Sequence, residues 1–136
     1  QDIHVEHILP KSYETAMEKE EYWREQFHPD EAAKLRHTLG NLTPLEQAVH
    51  DVVLQKPFWT KKAHYMGKDD TLASLGDDRE ATSFDLTRRV VDKYEDWNPE
   101  NIREHRKFLV GQTADLLNFD RERLLQVEDS EAEVEA

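Results

Sequence analysis

The opening stretch I-H-V-E-H-I-L-P, residues 3–10, constrains the fold more than any other part of the chain. Ile3, Val5, Ile8 and Leu9 alternate roughly with polar residues, the period of a half-buried strand. Pro10 ends the run, because proline has no N–H to give to a ladder. Further on, the turn signal Gly40-Asn41 leads into a very short extended piece, Leu42–Leu45. The other ordered segments read as helices, so the fold class expected is α+β, mostly helical.

The helical segments show their own punctuation. Ser12 can cap a helix carrying Tyr13, Met17, Tyr22, Trp23 and Phe27, and Pro29-Asp30 restarts a second one to about Leu39. Glu46–Gln55 has helix-compatible composition before Lys56-Pro57, and Phe58–Met66 continues as a short helix. Gly67–Arg79, with Gly76 and four Asp, predicts a long loop. Thr82–Trp97 places Phe84, Leu86, Val90, Val91 and Tyr94 at helical spacings. Asn98-Pro99 then opens the last helix, with an N-cap and proline at the first position. Trp23, Trp59 and Trp97 sit among apolar residues and are expected in the core rather than stacked on bases.

With 136 residues the chain has room for one sizeable core, and one folded unit is expected. Its first residue is Gln1 rather than Met, as in a domain excised from a longer polypeptide. Absence of cysteine excludes disulfides and Cys-ligated zinc. No apolar run approaches the roughly 20 residues that span a membrane, and no signal-peptide pattern opens the chain, so a soluble cytoplasmic protein is expected. The net charge of -12 weighs against nucleic-acid binding, which relies on Lys and Arg. Part of that excess lies in residues 128–136, an acidic tail expected to be disordered; without its five acids about -7 remains. Any DNA surface must then be a confined basic patch, or a partner domain must hold the DNA.

Chemistry concentrates in two segments. Glu6 and His7 set a carboxylate beside an imidazole at a strand end. Phosphodiester hydrolysis needs such a pair: a general base for water and a cation, held by a carboxylate, to neutralise charge on the phosphate. The second segment, L-G-N-L-T-P-L-E-Q-A-V-H, puts Asn41 in a turn and His50 on the following helix. Gln47 and Asp51 lie within one turn of His50 and compete with it as ligands. His4 shares the strand face of Glu6 and is an auxiliary candidate, read first as structural. Lys11, Lys56, Lys61 and Lys62 flank the site and are the candidate phosphate contacts. For Arg103 and Arg106 pairing with an acid is favoured over phosphate.

E-H-I-L-P-K-S, L-G-N-L-T-P-L, F-W-T-K-K-A-H-Y and W-N-P-E-N-I-R-E-H-R together resemble the C-terminal HNH nuclease domain of GmrSD-type modification-dependent restriction endonucleases, from about Ile3 to Leu117. The resemblance implies a ββα-metal core at about residues 3–55 embedded in extra helices, about 56–127, within a nuclease domain spanning 1–127. It implies DNA cleavage or nicking with a divalent metal, Mg²⁺ or Mn²⁺ first and Zn²⁺ or Ni²⁺ as alternatives. His7 then matches the general base, Glu6 and His50 the metal ligands, and Asn41 the residue fixing the loop over the site. Many HNH proteins carry Asp where this chain has Glu6, and many members of this family carry Asn where His50 aligns. Implied partners are modified or phage DNA and an N-terminal nucleotide-hydrolysing domain of the same or a companion protein, in phage defence. The competing readings are a helical protein-interaction domain and a degenerate nuclease fold that binds without cutting.

Overall fold

The computed structural model describes residues 2–67 and 81–117, together with residues 122, 123, 125 and 126. The expected loop, apart from Gly67, and the expected acidic tail lie outside the described residues.

Strand β1, Ile3–His7, pairs antiparallel with β2, Leu42–Glu46, in a register that sets Val5 opposite Pro44 and His7 opposite Leu42. Pro44 is tolerated because each strand of a two-stranded sheet has a free edge, where a missing N–H costs no ladder bond. Helix α4, Gln47–Val53, follows β2 without a gap, completing a strand–strand–helix unit. The strands are joined by α1, Tyr13–Lys19, α2, Glu21–Gln26, α3, Pro29–Leu35, and a 3₁₀ turn at Leu39–Asn41. Helices α5, Phe58–Tyr65, α6, Asp85–Lys93, and α7, Pro99–Leu117, complete the α+β, mostly helical fold.

Several expectations need correction. Alternation in β1 has the expected period but the opposite phase: Ile3 and Val5 are 64% and 59% exposed, while Glu6 is 2% exposed. An interior partner for the carboxylate, described below, outweighs the outward turn of two apolar side chains. The helix expected from Ser12 through Phe27 breaks at Glu20, whose backbone is extended at φ -122° and ψ 112°. On one continuous helix Met17 and Trp23 would point about 120° apart; the break lets both reach the core. Trp59 is 66% exposed, whereas Trp23 and Trp97 are fully buried.

The larger core cluster gathers Ile8 and Leu9 from the end of β1, Trp23 and Phe27 from the α2 region, Phe58 from α5, and Trp97 with Ile102 around the start of α7. A smaller cluster holds Leu45, Val49, Val53 and Tyr65, joining β2, α4 and α5. Asn98 caps α7 as expected, its Oδ1 accepting from Asn101 N at 2.9 Å. Helix α6 is shorter than expected because Thr82 and Ser83 are drawn away to hydrogen-bond Glu46 at the end of β2. Its Thr87 hydroxyl donates to Pro44 O, fastening α6 to the strand. Arg103 pairs with Glu31 at 2.9 Å, tying α7 to α3. Gly40 is required where it stands: a Cβ there would lie 2.1 Å from Ile102 O, so the 3₁₀ turn can press against α7 only without a side chain.

Candidate functional site

The two halves of the strand end point in different directions, as neighbours on a strand must. Glu6 turns inward. Its Oε2 accepts from Lys61 Nζ at 3.1 Å and from the Tyr65 hydroxyl at 2.6 Å, both from one face of α5 because they are four residues apart. Its Oε1 faces His50 Nε2 on α4 at 3.8 Å. Lys61 is completely buried and also donates to the carbonyls of His7 and Ile8, at 3.1 and 2.9 Å. Burial lowers the lysine pKa below its ordinary value while the Glu6 carboxylate pulls it back up. The same burial raises the Tyr65 hydroxyl well above 10, so it remains a donor.

His7, half-buried, turns the other way, and its Nε2 lies 3.1 Å from His37 Nδ1. Its pKa falls to about 4, first because burial disfavours the charged ring and then because His37, Lys11, Lys61 and His50 add positive charge nearby. His7 is therefore neutral, in its proton-accepting form, at physiological pH. His4 stacks on His50 with ring centroids 4.3 Å apart, fixing the plane of the imidazole that faces Glu6. Glu6, His7, His50, His4, Lys11 and Gln55 all line one cleft of about 410 Å³.

Asn41 holds the backbone that leaves the site. Its Oδ1 accepts from Leu9 N at 2.7 Å and Trp97 Nε1 at 2.8 Å, and its Nδ2 donates to Leu9 O at 2.9 Å and Arg36 O at 2.8 Å. The segment leaving β1 is thereby pinned at Leu9, two residues after His7.

Of the residues singled out from sequence, Glu6, His7 and His50 come together at the cleft, and Asn41 holds the backbone behind it. Among the helix candidates it is His50 that meets Glu6; Asp51 is exposed, 3.4 Å from the other nitrogen of that ring. Lys11 and Lys56 are exposed and free to meet a phosphate, and Lys11 borders the cleft. Lys61 and Lys62 leave the set of phosphate contacts. Lys61 is interior. Lys62 Nζ donates to Tyr94 O and Glu95 O at 3.2 and 2.9 Å and lies over the Phe58 ring, closing the end of α6.

Sequence reasoning missed Tyr65, His37 and the inward role of Lys61. The Lys61–Tyr65 spacing within F-W-T-K-K-A-H-Y carried a signal, since residues four apart share a helix face. His37 had none, standing alone in R-H-T.

Among the described residues, no three His, Asp or Glu side chains converge as a cation cage. Glu6 and His50 nonetheless offer one carboxylate oxygen and one imidazole nitrogen, facing each other across an open cleft. That mixed set suits a divalent cation completing its shell with water and phosphate oxygens, so the residues present fit such a group.

No helix among the described residues is long and apolar enough to cross a membrane. No curated protein and no solved structure matches the chain. One family model does match, over residues 1–112, and its description is GmrSD restriction endonucleases, C-terminal domain.

Proposed function

Because the chain belongs to the C-terminal domain family of the GmrSD restriction endonucleases, we propose that it is a metal-dependent HNH endonuclease domain that hydrolyses DNA phosphodiesters. The observation that carries this reading is the convergence of Glu6, His7 and His50 on one cleft, with Asn41 fixing the strand end beneath it.

His7 takes the proton of the attacking water on an imidazole nitrogen. A base whose pKa has fallen to about 4 is always unprotonated at neutral pH but is a weak acceptor, so the water must itself be made more acidic. Glu6 and His50 would hold the divalent ion, Mg²⁺ or Mn²⁺ first and Zn²⁺ or Ni²⁺ as alternatives, which would supply that acidity and neutralise charge on the phosphate. Asn41 keeps the chain after His7 from drifting, so that the base and the ligand next to it in sequence hold one geometry. Lys11 and Lys56 meet the flanking phosphates.

With a net charge of -12, the domain draws its affinity for modified or phage DNA from an N-terminal nucleotide-hydrolysing partner in cis or as a companion. The same charge favours the second reading, a degenerate fold or interaction module that never cuts.

The deciding experiment is nicking of supercoiled plasmid at low salt with Mg²⁺, Mn²⁺ or Ni²⁺, using wild type, His7→Ala, Asn41→Ala and His50→Ala. Wild type is expected to nick only with metal, and His7→Ala to lose a factor of about 100 or more. Folded wild-type protein that remains inert with its companion domain and metal present sinks the catalytic reading in favour of the second one.

A further inference from the structure

Lys61 is unusual for a lysine in two respects: it is completely buried, and all three acceptors around its ammonium belong to the strand end, namely Glu6 Oε2 and the carbonyls of His7 and Ile8. An ammonium has three N–H donors, so this constellation uses every one of them. Two of the acceptors are neutral and one is a carboxylate that is itself 2% exposed. Isolated burial of either charge is strongly unfavourable, and together they compensate.

Tyr65 adds a second donor to the same carboxylate oxygen. Both donors therefore crowd Oε2, while Oε1 faces the cleft and His50. Glutamate is one methylene longer than the aspartate common in HNH proteins, and a longer arm needs an anchor to present one oxygen reproducibly.

We infer that Lys61 is the resident counter-cation of Glu6, a positioning residue that holds the carboxylate and the end of β1 in place before any metal arrives, leaving Oε1 as the single oxygen offered beside His50. One ammonium thus sets the ligand and, through the His7 carbonyl, the base next to it. The inference rests on the reading in which Glu6 and His50 hold the cation, and its test separates the two.

The test is a thermal-denaturation cycle on wild type, Lys61→Met, Glu6→Gln and the double variant, each with and without Mn²⁺, with Tyr65→Phe as a milder probe. Without metal, Lys61→Met is expected to melt at least about 10 °C below wild type, because a buried carboxylate loses its partner. Adding Glu6→Gln to Lys61→Met is expected to recover most of that loss, since the pair is then neutral. Mn²⁺ is expected to raise the Lys61→Met midpoint by roughly twice the wild-type increment, standing in for the missing ammonium, and to leave the double variant unmoved. Tyr65→Phe retains the charge pair and is expected to fall by only a few degrees, about 3 to 5 °C.

If the double variant is as unstable as Lys61→Met, or neither folds, Lys61 acts through packing and the inference is overturned. Equal Mn²⁺ increments in wild type and Lys61→Met overturn it as well. Recovery in the double variant with no Mn²⁺ response in any protein upholds the Lys61–Glu6 unit and overturns the cation-binding role of Glu6 instead.

Discussion

Two buried polar centres hold the segment leaving β1, and they are built on opposite principles. The Asn41 centre is neutral and saturated: its amide oxygen takes two donors and its amide nitrogen gives two, and three of the four partners are backbone groups, the fourth an indole locked in the core. The Glu6 centre is charged, with one oxygen closed by Lys61 and Tyr65 and the other turned to a histidine in a cleft. A saturated neutral network rigidifies and needs nothing further, whereas a charged group with one face toward solvent is where a ligand changes the energy most. Asn41 therefore has the arrangement of a structural group, and Glu6, equally buried and polar, that of a group able to respond to a ligand.

The sharpest way to break this contrast is to damage the neutral centre. Asn41→Ala is expected to cost about 4 kcal/mol, because Leu9 N, Leu9 O and Trp97 Nε1 lose their partner in the interior. Urea unfolding should show that loss at an unchanged slope, identically with and without Mn²⁺; a metal-dependent loss would merge the two centres into one.

Acid probes the comparison next. His105 packs against Trp97 on the neutral side and accepts from Arg89, and burial, with Arg89 adding to it, holds its pKa at about 4. Both His105 and His7 lie below the ordinary histidine value of 6.5, so the unfolded chain takes up their protons first. Their contribution to stability is complete above about pH 6.5 and lost as pH falls toward 4. For the fully buried His105 this amounts to roughly 3 kcal/mol, and for the partly exposed His7 to roughly 1 kcal/mol. Chemical denaturation at several pH values should therefore flatten more in His105→Asn than in His7→Asn. In nicking assays the acid limb set by His7 should lie below about pH 5 rather than near 6.5.

The smallest effect lies outside both centres. Trp59→Ala is expected to change stability by no more than about 0.5 kcal/mol. A larger loss in the urea midpoint would mean that its exposed ring supports α5 and, through it, Lys61.

Much of the neutral scaffold could be read from sequence, because it is written in local signals: the proline after β1, Gly40-Asn41, the Asn98-Pro99 cap. The charged centre was half legible. Glu6, His7 and His50 stood out by type and order, yet the phase of β1 did not, since period two says that faces alternate and leaves open which one turns inward. By side-chain type alone Ile3 and Val5 would turn inward; the buried partner of Glu6 decides otherwise. That partner, Lys61, lies 55 residues away, and a lysine among 18 basic residues carries no mark of burial. Trp59 misled for the converse reason, since a large apolar side chain raises the odds of burial without fixing them.

The two paired strands are far apart along the chain. Residues 8–41, three helices and a 3₁₀ turn, must be drawn into a closed loop before Glu6 and His7 meet the β2–α4 half. Closing such a loop costs chain entropy, which the packing of the enclosed helices must offset. The cleft therefore depends on a loop of the chain that contributes little to its lining, so that a change in how α1–α3 pack reaches the cleft through the pairing of β1 with β2.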